Sequence, residues 1–139
     1  MKHYLFIFIM FLLTSKLFGQ GANWQKATAW TLYDLQGKKP WKIPFDSLGS
    51  FSHKSLNSDS MQFFLAKTTT IPLEKAPVWM GAYAATCVLD NKKRKIDISV
   101  YAGFFYDEVE KQYYQIPSDI QQDWLNYLSD VAASLQSGH

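Results

Sequence analysis

Two long β-type runs, residues 78–89 and 94–106, flank the polar stretch Asp90-Asn91-Lys92-Lys93. This arrangement limits the fold more than any other part of the chain, because it predicts an antiparallel hairpin. A turn centred between Asn91 and Lys92 sets Cys87 opposite Ile96, Ala85 opposite Ile98, Tyr83 opposite Val100 and Trp79 opposite Phe104. That register gathers a dense apolar set on one face. A one-residue slip would scatter it, so burial of that face fixes the pairing.

A second polar stretch, Tyr106 to Gln112, predicts another hairpin loop. Pairing about Val109 brings Phe104 to Tyr114 and Ala102 to Ile116 on the core face, and Phe105 to Tyr113 on the outer face. Pro117 ends the third strand, since it has no N–H to donate. Ser118 and Gln121 have capping-box spacing. Ile120, Trp124, Leu128, Val131 and Leu135 then recur at helical intervals on one face.

The expected fold is therefore α+β. An antiparallel β-meander (about 78–89, 94–106 and 112–116) carries a C-terminal amphipathic helix (about 119–135) packed on one face. The core should hold Trp79, Tyr83, Ile96, Ile98, Val100, Phe104 and Trp124. An N-terminal hairpin and a short helix complete the domain. Residues 27–35 read as a strand, 36–40 as a turn, 41–45 as a short edge strand, and 46–51 as a helical turn capped by Asp46. Residues 59–68 read as a helix that ends in the β-prone Thr68-Thr69-Thr70-Ile71.

The N-terminus has its own signature. Lys2 and His3 precede an unbroken apolar run from Tyr4 to Leu13, and small residues follow up to Ala22. This is the layout of a secretory signal peptide. Ten residues at helical rise cover about 15 Å, roughly half of a bilayer core, so a spanning helix is not expected. The chain reads as a cleaved leader, 1–19, and a single globular domain, 20–139. The expected location is exported, periplasmic or secreted, with no stable membrane anchor after cleavage.

Removing Lys2 and Lys16 with the leader leaves 12 basic and 12 acidic side chains. A neutral domain has no global field to draw it onto nucleic acid, so that partner class is set aside. Cys87 is the only cysteine. An exported chain with one cysteine has no internal disulfide, and stability must come from packing.

Catalytic and metal motifs are not apparent. His53 lies in a polar loop with no marked orienting partner or nucleophile. Cys87 falls on the predicted core face, where a thiol acts as a small hydrophobe. Asp107, Glu108 and Glu110 lack calcium-loop spacing, and with Lys92-Lys93-Arg94-Lys95 they read as solvated hairpin tips. No cofactor and no metal site are expected.

The outer sheet face is the informative surface. Met80, Ala82, Tyr101, Phe105 and Tyr113 share it, with Gly103 between two of the rings as a point of close approach. Either residues 24–71 cover this face, or Met80, Tyr101, Gly103, Phe105 and Tyr113 form a contact surface for a protein, peptide or glycan. The expected function is an exported, non-enzymatic binding module. The alternatives are a small envelope hydrolase using His53 or loop carboxylates, and an inhibitor or immunity-type protein.

Overall fold

The structure is a computed structural model and describes residues 21–75, 78–81, 83–101 and 103–136. The expected leader lies outside the described residues, as do Ala82 and Ala102. Among the described residues no helix is long and apolar enough to cross a membrane.

The fold is α+β. Among the described residues seven strands form one antiparallel sheet: β1 Thr28–Asp34, β2 His53–Ser55, β3 Thr69–Ile71, β4 Tyr83–Leu89, β5 Lys92–Ile98, β6 Phe104–Asp107 and β7 Gln112–Gln115. Their order across the sheet is β2-β1-β4-β5-β6-β7-β3. Strands β4 to β7 are the meander. The chain crosses from one edge to the other between β2 and β3, and helix α1 (Ser58–Leu65) makes that crossing. Both edge strands are only three residues long.

Helix α2 (Gln121–Gln136) follows a short 3-10 turn, Ser118–Ile120, and buries Trp124, Leu128 and Ala132. The expected Ser118 cap does not form. Gln121 Nε2 instead donates to the carbonyl of Ile116, 3.0 Å away. Asn57 caps α1, its Oδ1 accepting from the Ser60 N–H, while the Asn57 N–H donates to the Tyr127 hydroxyl of α2. These bonds satisfy one free helix-end donor and join the two helices. Both helices pack on one sheet face with Trp24, Trp30, Leu32, Ile96, Ile98, Phe105 and Tyr114.

The first hairpin keeps its predicted faces but shifts its turn. Ala85 pairs with Ile96, and Cys87 with Arg94. Asp90 and Asn91 both have positive φ, +52° and +60°. This is the two-residue turn whose twist suits adjoining strands, and Asp and Asn tolerate it.

The rest of the predicted meander needs correction. Residues 94–106 do not run as one strand; they break at 99–103 and fold back as β5 and β6. Gly103, at φ +67°, makes that turn, and Ser99 Oγ ties it by accepting from the Tyr101 N–H at 3.2 Å. Phe105 then pairs with Ile98 and Tyr114, and Tyr106 with Tyr113. Phe105, expected on the outer face, is fully buried among the helices and stacks on Tyr114 at 5.2 Å. Trp79 and Val100, expected in the core, are half-buried and exposed.

Residues 41–45 form no strand. A 3-10 turn at Pro40–Lys42 and another at Phe45–Ser50 replace it. This segment folds over part of the outer face, where Leu48 packs on Leu35 and Ala84 beside Tyr33, Ile43 and Phe51. In β1 a bulge shifts the register between Thr28 and Thr31, with Ala29 at φ +54°. It brings Trp30 onto the helix face with Leu32.

Candidate functional site: an aromatic cleft on the outer sheet face

Cover from residues 40–51 is partial. Beyond it, over β5, β6 and β7, a cleft of about 370 Å³ opens between Trp41, Trp79, Asp97, Tyr106 and Tyr113. Its floor is a row across three strands, because Asp97 pairs with Tyr106 and Tyr106 with Tyr113. Alternation along each strand puts these three side chains on the outer face. The tyrosine rings are 4.7 Å apart and tilted by 45°.

The walls come from two loops. Trp41 sits in the 3-10 turn of Pro40–Lys42, and Lys95 fastens that turn to the sheet by donating from Nζ to the Pro40 carbonyl at 2.8 Å. Trp41 remains 47% exposed and meets Trp79 edge to face at 5.5 Å and 82°. Trp79 in turn lies 6.5 Å from Tyr113. The segment carrying Trp79 is pinned at both ends of its next residue: Ser99 Oγ accepts from the Met80 N–H and donates to the Met80 carbonyl. Gly81 lies against the Ile98 carbonyl, where a Cβ would come within 2.5 Å of the oxygen. Only glycine allows this approach.

The electrostatics centre on Lys95, 3% exposed. Its three N–H bonds go to the Pro40 carbonyl, Asp97 Oδ1 at 2.9 Å and Glu108 Oε2. Asp97 is 1% exposed, and Lys95 is its only hydrogen-bond donor among the described residues. Burial pushes the Asp97 carboxyl up to about 6, outweighing the attraction of Lys95. The Tyr106 hydroxyl is also raised, first by burial and then by Tyr113 and Asp97. A second cleft of about 350 Å³ adjoins across Trp41, lined in part by Lys42, Lys93, Lys95 and Glu108.

The two charge runs are only partly solvated: Lys92, Lys93 and Glu110 stay exposed, as expected of hairpin tips, while Arg94, Lys95 and Asp107 are buried. Lys95 turns to the outer face, and Arg94 to the helix face. There Arg94 bonds Asp107 at 2.9 Å and Glu110 at 3.3 Å, with its guanidinium 5.7 Å over the Trp24 ring. Asp107 and Glu108 partner the basic run across the β5–β6 hairpin. The sequence carried both runs, but their pairing depended on the turn at 99–103.

Of the predicted contact residues, only Tyr113 lines the cleft. Met80 and Tyr101 do not line it; both are about half exposed, and the backbone of each bonds to Ser99 Oγ. Gly103 is buried against Gln121 and Ile116, where a Cβ would be 2.8 Å from Gln121 Cγ, so it is a turn residue of the core. Phe105 is core. Trp41, Asp97 and Tyr106 were not foreseen. Unbroken alternation through 94–106 already put Asp97 on the outer face, and the missing signal was the break that turns Tyr106 outward.

His53 lies on the exposed edge strand β2. Its Nδ1 is 2.9 Å from the Phe51 carbonyl, and its ring packs by Tyr33. The Cys87 thiol is buried, and burial pushes it up to about 12. Among the described residues no group of three or more His, Cys, Asp or Glu is arranged to hold a metal ion. Compared with known proteins, the chain matches no family model, no curated protein and no solved structure.

Proposed function

We propose that the protein is an exported, non-enzymatic binding module whose ligand contacts the aromatic cleft of the outer sheet face. One observation carries this reading: four aromatic side chains from three separate parts of the chain converge around a buried carboxylate. Clefts of about 300–1,000 Å³ with apolar walls and few polar groups are the usual form of small-ligand sites. This one falls at the small end. Packing alone does not require Trp41 to stand half exposed while a buried lysine anchors its turn.

The cleft contains two of the five indoles, which makes the reading testable by NMR. Nitrogen-15-labelled protein is titrated with size-fractionated envelope and culture-fluid extracts. At least one fraction is expected to shift the Trp41 and Trp79 indole signals while the buried Trp24, Trp30 and Trp124 signals stay in place. Fractions that leave both cleft indoles unmoved, or that move only signals elsewhere, would overturn it.

A further inference from the structure

The rings of the cleft are tilted against one another and do not form a platform. Trp41 and Trp79 are nearly perpendicular, Trp79 and Tyr113 differ by 58°, and Tyr113 and Tyr106 by 45°. A flat sugar ring stacks best on a broad, coplanar surface. Several tilted ring faces suit a compact cation, which is attracted to the negative face of each. Lys39 already uses this attraction on Trp41, its Nζ lying 5.8 Å from the ring centre.

The floor has the matching charge. Lys95 is one ammonium facing two carboxylates, Asp97 and Glu108, and all three of its N–H bonds are taken. With both acids ionised the three groups carry one net negative charge, which Asp97 presents to the aromatic cleft and Glu108 to the adjoining one. Asp97 is the buried acid that lines the aromatic cleft. Across Trp41 the balance turns positive, because Lys42, Lys93 and Lys95 line the adjoining cleft against Glu108 alone.

We propose that the aromatic cleft takes the alkylated ammonium group of a small zwitterion, whose anionic group lies over Lys42 and Lys93 in the adjoining cleft. This rests on the cleft being the ligand site and adds the chemical class of the ligand. Trp41 is the shared wall, touching both halves. A fully alkylated ammonium has no N–H and needs no hydrogen-bond acceptor from the protein, which agrees with a lining that is almost wholly aromatic. A choline phosphate group has this chemistry, whether free in solution or displayed on a lipid surface.

The test is titration of the purified protein with phosphocholine, followed by tryptophan fluorescence and calorimetry. Saturable binding is expected, with choline several-fold weaker and its uncharged carbon isostere, 3,3-dimethyl-1-butanol, at least about tenfold weaker than choline. Lys42→Gln with Lys93→Gln should bring phosphocholine down to the choline level and leave choline unchanged. Trp41→Ala should weaken both, with circular dichroism confirming the fold. Co-sedimentation with phosphatidylcholine vesicles would support the lipid-borne source, and binding of soluble phosphocholine alone the free one. Equal binding of the isostere, or inorganic phosphate binding as well as phosphocholine, would overturn the proposal. So would no binding of phosphocholine. In that case an oligosaccharide, or an extract fraction that still shifts the cleft indoles, would leave the binding-module reading standing.

Discussion

Asp97 shows what a buried carboxylate costs this fold. Its folded-state pKa, near 6, lies above the ordinary 3.8. Between those values the folded state binds more protons than the unfolded one, so this group's contribution to stability falls as pH rises. Below about pH 4 the group is neutral in both states, and above about pH 6 the folded state carries the charge. Lys95 and Glu108 face it, with Tyr106 and Tyr113 beside it in the cleft. Asp97→Asn should therefore gain stability over the wild type by about 2–3 kcal/mol between pH 4 and pH 7. Urea titrations across that range would measure the gain, and a difference independent of pH would refute the shift. If the cleft binds a cation, the same variant should lose affinity as it gains stability. That opposition is expected where a charge is retained for binding.

At the scale of elements, the pair of charges on the helix face holds β5 to the β6–β7 hairpin. Arg94 and Asp107 are both buried, and Glu110 adds a second carboxylate at the rim. Burial raises the Asp107 carboxyl, while the Val109 N–H and Arg94 oppose that rise. Asp107→Ala leaves a guanidinium buried without its main partner and should cost about 3–5 kcal/mol in urea unfolding. Adding Arg94→Met should return much of that loss, because it removes the stranded charge. If the double variant is no more stable than the single one, the pair is not the source. The sequence made the helix face of β4 and β5 legible, since the alternation of Ala85, Cys87, Ile96 and Ile98 survives a shifted turn, although Arg94 shares that face. Helix α2 was legible by its spacing and by Pro117. The outer face of β6 and β7 was not. Ser99 and Gly103 interrupt a run whose flanks, Ile98 and Phe104, both look like strand, and one uncounted turn exchanges the faces of Phe105 and Tyr106. Trp41 was hidden differently, since Pro40 and Pro44 permit an edge strand or a 3-10 turn. The choice was made by Lys95, distant in sequence.

For the molecule as a whole, the core is built without any cross-link. Cys87 sits in β4 between the sheet and the helices, 2% exposed, with its thiol pushed up to about 12 by burial. At pH 8 it should resist a thiol reagent until the protein opens, because the thiolate is the reacting form. Labelling rates should fall with added stabiliser and rise along the same urea curve as the loss of tryptophan signal. Fast labelling of folded protein would show that β4 opens locally. The topology makes such local opening unfavourable. β1 enters between β2 and β4, and β3 closes the far edge on β7, so the sheet depends on contacts from distant parts of the chain. Such non-local pairing predicts slow folding.

The three-residue edge strands bear on that slow folding. An unfinished sheet invites a neighbouring molecule to continue it, and a long, flat edge is how β proteins polymerise. Here one margin is His53-Lys54-Ser55, with Lys54 held by Ser134 of α2, and the other is Thr69-Thr70-Ile71, followed at once by Pro72. Neither margin gives a second copy enough open backbone to seed a fibril, so the finished molecule carries its own protection against aggregation.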